Sequence, residues 1–131
     1  MTATAKIFSR TDKKVTTTVH PYYLEEDTNL FASRHMFAYN IRITNGREHD
    51  LKILGRFWTI VNGNDDKYEV TGDGVMGKTP VISPGKTFAY TSYCVLYTFT
   101  GYMKGHFTAE VNNKTLKIRI PAFYLRSHLL N

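Results

Sequence analysis

The sequence predicts one all-β domain of antiparallel strands, either a sandwich or a barrel, and three observations carry that prediction. Aromatic residues reach 14% of the 131-residue chain, with nine Tyr and eight Phe, and such side chains favour the pleated, half-buried surface of a strand. Short segments of alternating or β-branched residues recur at roughly even spacing, punctuated by Gly, Asn and Pro. No segment shows apolar residues at helical spacing.

Taken in order, the first eleven residues lack acids and carry Lys6 and Arg10, and residues 1–13 are expected to form a flexible N-terminus ahead of a domain over 14–131. Val15 to Tyr22 is β-branched and reads as a first strand, with Pro21 marking an edge or an end. An acidic loop, Glu25-Glu26-Asp27, follows. Met36 to Thr44 alternates with Phe37, Tyr39, Ile41 and Ile43 on one face, and it stops at the turn signal Asn45-Gly46. Leu51 to Val61 is a long strand in which Gly55 suggests a bulge or bend. Asn62 to Asp66 is a hairpin turn into Lys67–Thr71. Beyond a glycine-rich segment lie strands at Thr87–Tyr93 and Cys94–Thr98. Gly101 turns the chain into Tyr102–Val111, and Asn112-Asn113 turns it into Thr115–Ile120, which Pro121 to Leu125 extends.

Composition narrows the chemistry. A net charge of +6 and a pI near 9.5 permit attraction to nucleic acid or an anionic surface, although surplus Lys also serves solubility. The single cysteine, Cys94, excludes an internal disulfide and sits in a strand-like run where a buried thiol is the default. The five histidines, His20, His35, His49, His106 and His128, stand without a partner at metal-binding spacing, so no metal site and no cofactor are expected. Serines are few and no strand-to-helix elbow frames one, so an enzyme is not expected. No apolar run reaches the length of a membrane span, and the expected compartment is the cytoplasm, with a mitochondrial or other organelle matrix as the alternative.

The segment Val70 to Ser92 carries the most suggestive local pattern. Gly72, Gly74 and Gly77 match G-x-G-x-x-G, and Gly72 to Thr79 matches G-x-x-x-x-G-K-[ST]. Both patterns hold phosphate by pointing backbone N–H groups and a helix N-terminus at it. Here Pro80 and Pro84-Gly85 would end any such helix within about one turn, so the structural context of a P-loop is missing. The alternative is a tight inter-strand turn with Val75 and Met76 in the core. A further pattern interleaves cations with apolar strand residues at Arg56-Phe57-Trp58 and Lys117-Ile118-Arg119-Ile120. Sheets that stack single-stranded bases do this; so do ordinary strands with rings inward and cations outward.

With the segments laid out, the order of motifs resembles the ApaG family. Phe37 to Asn45 is similar to F-x-Y-x-I-x-I-x-N, Arg56 to Ile60 to R-x-W-x-I, and Val70 to Gly77 to V-x-G-x-G-V-V-G with Met76 in place of valine. Pro80 to Ser92, Gly101 to Phe107 and Ile120 to Leu125 continue the series, and Lys78-Thr79 departs from the usual pattern. The resemblance implies an immunoglobulin- or fibronectin-type-III-like β-sandwich with no catalytic activity. It also implies a link in bacterial relatives to cobalt resistance and magnesium efflux, and a protein-interaction role where the domain is fused to F-box or polymerase-interacting proteins. The expected function is therefore a non-enzymatic docking domain, monomeric or homodimeric, with Tyr22, Tyr23, Arg47 and Tyr102 as anchors on exposed loops. The alternatives are a phosphate, pyrophosphate or nucleotide sensor at Gly72, Gly74, Gly77 and Lys78, and RNA association through the basic surface.

Overall fold

A computed structural model describes residues 6–127. Among the described residues nine strands build two antiparallel sheets: β1 (Phe8–Asp12), β2 (Val15–Tyr23), β3 (His35–Asn45), β4 (Leu51–Asn62), β5 (Lys67–Asp73), β6 (Val81–Ile82), β7 (Thr87–Leu96), β8 (Thr100–Val111) and β9 (Lys114–Arg126). The first sheet runs β1-β2-β3-β7 and the second β5-β4-β8-β9, with the short β6 paired to the start of β4. The two sheets face one another as a sandwich around one core.

Alternation supplies that core directly. Phe37, Tyr39, Ile41 and Ile43 of β3 point inward and are buried, as their period predicts. They meet the inward residues of β4, β8 and β9. Trp58 lies edge-on to Tyr39 at 5.6 Å and to Phe123 at 5.8 Å between ring centroids. Edge-to-face packing of this kind adds about 0.5–1.5 kcal/mol beyond the area it buries. A bulge between Ile53 and Gly55 bends β4, at the glycine that suggested one. A second irregularity, between Met103 and Gly105, is matched on β9 by an additional residue near Pro121, which cannot donate to a ladder.

Three expectations need correction. Phe8–Asp12 is a strand paired with β2, so this part of the expected flexible N-terminus is ordered; residues 1–5 lie outside the described residues. The two strands expected over Thr87–Thr98 are one, because nothing in Tyr93-Cys94 interrupts its pairing with β3. Asn45-Gly46 ends β3, as its turn signal predicts, and from there the chain crosses to the second sheet. The Asn45 side chain is buried and donates to the carbonyls of His49 and Ile82 at 2.8 and 2.9 Å, holding the crossing from the first sheet to the second. Finally, Met76 is exposed, while its neighbour Val75 is fully buried.

Candidate functional site

The glycine segment leaves β5 and folds into a closed turn. Gly72 is a strand residue opposite Arg56 rather than part of the loop. A Cβ on Gly72 would come within 2.6 Å of the Arg56 guanidinium carbon, so this glycine leaves room for that group to lie across the strand. Arg56 Nη1 donates to the carbonyls of Asp73 and Gly74 at 3.2 and 3.0 Å. The Gly74 amide donates to the Leu54 carbonyl at 2.7 Å, and Val75 and Lys78 exchange two backbone bonds of 2.8 and 3.0 Å around Met76-Gly77, both at positive φ. The amides of Gly74, Val75 and Lys78 are thus bonded within the chain, and the loop turns carbonyl oxygens toward a cation supplied by β4. Lys78 itself is exposed.

Beneath Arg56 the groups are chemically quiet. Burial raises the Tyr39 phenol to about 12, against the opposing effects of a Ser92 hydrogen bond and the Arg56 charge. Burial also raises Tyr90 strongly, and its hydroxyl has no hydrogen-bond partner among the described residues. Cys94 is pushed to about 12 by burial, so its sulfur stays a thiol at neutral pH and is a poor nucleophile. Among the described residues no group of three or more His, Cys, Asp or Glu is placed to hold a metal ion. His128 lies outside them.

The four expected anchors do not gather. Tyr23 is buried in β2 against Phe37 and is not an exposed loop residue. Tyr22 faces outward on the same strand beside the His20 ring. Arg47, the one anchor on a loop, donates to the Lys13 carbonyl at 2.8 Å, at the opposite end of β2. Tyr102 is on the other sheet, opposite Val61 and Tyr124.

What the sequence reading missed is a groove on the open side of the sandwich, between the end strands β5 and β7. It measures about 540 Å³ and is lined by Ile60, Tyr68, Val70, Tyr93, Val95 and Tyr97. Tyr68 spans it, its hydroxyl donating to the Val95 carbonyl at 2.7 Å. Tyr93 and Tyr97 remain 58% and 54% exposed at its rim. A signal was present in the run Tyr93-Cys94-Val95-Leu96-Tyr97, where both phases of the alternation are apolar. A half-buried strand needs only one apolar phase.

Comparison with known proteins agrees with this architecture. The family model for the ApaG domain matches residues 25–111. Protein ApaG of Sinorhizobium fredii is 40% identical over 116 residues, covering 88% of this chain and 89% of that protein. Protein ApaG of Pectobacterium carotovorum is 39% identical over 113 residues, covering 86% and 90%. The crystal structure of a Bordetella pertussis protein described as ApaA superposes with a TM-score of 0.83 at 36% identity, covering 87% of this chain and 94% of that one. Motif order, two-sheet architecture and these relatives agree: the chain belongs to the ApaG domain family.

Proposed function

We propose that this chain is a non-enzymatic docking domain that receives an extended segment of a protein partner along its β5–β7 side. The observation that carries the reading is the groove, whose apolar walls and rim tyrosines lie open beside two end strands. Among the described residues β7 pairs with β3 alone, so backbone groups on its other edge face the groove. A partner strand laid there would pair with the groups of that edge still open, the Val95 carbonyl and the Tyr97 amide being held by Tyr68 and Asn62. It would also place every second side chain into the apolar walls, the usual division between affinity and specificity in strand addition. The segment that fits carries aliphatic or aromatic residues at alternate positions. Tyr residues suit such a rim because they contribute large contact area at low entropic cost. The cobalt and magnesium phenotypes implied by the family resemblance would then act through the partner.

The glycine loop is the weaker candidate for this chain's activity, because three of its amides already serve the turn. The test places a photo-crosslinking residue at Tyr97 and, as a control away from the groove, at His20 on β2, two strands from β7. Crosslinked peptides are then identified by mass spectrometry. Capture of one extended segment from Tyr97, abolished by Val70→Lys and absent from the His20 variant, is the expected result. Equal capture from both positions, or none from Tyr97, overturns the reading.

A further inference from the structure

The outer face of the second sheet presents cations and rings together, and this separates it from an ordinary solvated face. After the bulge in β4, Trp58 and Ile60 point into the core and Phe57 points out. Phe57 stacks on His106 of β8, ring centroids 5.2 Å apart and planes within 24° of parallel. In register beside His106 stands Arg119, and beside the next outward residue, Thr108, stands Lys117. Lys104 and, from β1, Arg10 line the same shallow depression. A second pair of rings, Tyr102 and Tyr124, faces outward four residues along β8, about 13 Å away by strand rise, and Tyr124 is 70% exposed.

The carboxylates near this patch leave it positive. Asp12 is turned to the edge of β9, where it accepts from the Arg119 amide at 2.8 Å and pairs with Lys13 at 3.5 Å. Glu69 borders the face on β5, beyond Thr59, and Asp73 lines the neighbouring depression with Phe57, His106 and Thr108. Glu110 follows Thr108 outward on β8, so the acids lie along one border of the patch. Among the described residues the depression is lined by four cations and no acid. The His106 imidazole is held below its ordinary value by burial and then by the Lys117 charge, in keeping with a positive local field.

From this arrangement we propose that the outer face of the β5-β4-β8-β9 sheet binds single-stranded RNA, with bases stacked on the Phe57–His106 and Tyr102–Tyr124 rings and the phosphate chain tracked by Arg10, Lys104, Lys117 and Arg119. Stacking platforms set among cations are how flat sheets hold unpaired nucleotides, and a duplex hides the base faces such rings need. The choice of RNA rests on Thr108, which borders the same face and whose hydroxyl can exchange hydrogen bonds with a 2′-hydroxyl. This surface lies on the opposite side of its sheet from the core and uses none of the rim residues of the docking groove.

The test is fluorescence anisotropy of a labelled oligo-U RNA against the intact protein at two salt concentrations. Oligo-dT, duplex RNA and heparin serve as competitors. The proposal expects oligo-U to bind, and heparin and duplex to compete less well than unlabelled oligo-U. Tyr124→Ala weakens binding by about fivefold to a hundredfold, the range for loss of one stacked base. Arg119→Glu with Lys117→Glu lowers the dependence of log K on log salt by about one to two. Tyr124 is exposed, so its variant keeps the wild-type melting curve, and Tyr97→Ala binds as wild type does. Absence of binding at low salt overturns the proposal, as does binding that Tyr124→Ala leaves unchanged. Oligo-dT held as tightly as oligo-U overturns the assignment to RNA.

Discussion

Gly74 and Gly77 both have positive φ, at 59° and 73°, yet their substitution by alanine should differ sharply in cost. At Gly77 a Cβ would meet nothing within 4 Å, so Gly77→Ala bears only the left-handed conformation, about 1–2 kcal/mol. At Gly74 the same strain is joined by overlap with the Lys78 carbonyl oxygen, whose carbon would sit 2.8 Å from the new methyl. That clash is relieved only by opening the paired bonds between Val75 and Lys78, each worth about 0.5–1.5 kcal/mol net. Gly74→Ala should therefore cost about 3–4 kcal/mol, and at this chain length lower Tm by roughly 10–15 °C, against about 4–8 °C for Gly77→Ala. Urea unfolding followed by the fluorescence of Trp58, the one tryptophan and a buried one, measures both. Equal costs, or a larger cost at Gly77, would refute the argument that Gly74 is required by close approach of the backbone and Gly77 by φ alone.

Two further outcomes follow from buried groups. Gly72→Ala displaces the Arg56 guanidinium from its carbonyl acceptors, so it should cost about 1–2 kcal/mol in the native background and markedly less in an Arg56→Ala background, a coupling of about 1 kcal/mol; strictly additive costs would show that the two residues do not share a site. His35 is buried beside Phe99, with centroids 4.5 Å apart, and burial holds its pKa below the ordinary 6.5. The unfolded chain then binds a proton that the folded chain refuses, so stability is full above about pH 6.5 and falls as pH drops toward the depressed folded value. His35→Gln should flatten that fall in urea titrations at pH 7 and pH 5, leaving the contribution of His106; an unchanged slope would exclude His35 as its source.

Where the sequence was legible, the structural cause was local. β3 announces its buried face because each inward residue is two positions from the next, and Asn112-Asn113 announces its turn because Asn tolerates the positive φ both residues adopt. β1 was illegible because what holds it is distant. Its five residues carry no apolar alternation. Thr11 and Thr16 share a hydrogen bond of 2.8 Å with the next strand, and Asp12 and Lys13 cap the edge of β9 from more than a hundred residues away, at the Arg119 amide and the Lys117 carbonyl. That cap also blunts an edge that would otherwise invite pairing. The candidate surfaces were hidden by phase. Counting by twos from Leu51 and Ile53 predicts Phe57 inside and Arg56 outside. The bulge before Gly55 shifts the count by one, so Arg56 turns inward onto Gly72 and Phe57 outward onto His106. One additional backbone residue thus explains both why a glycine stands at position 72 without serving a turn and why a ring is left on the solvent face. Gly55 marked the site of the bulge, but an isolated glycine does not say in which strand the added residue falls, and on that choice the sidedness of every later residue in β4 depends.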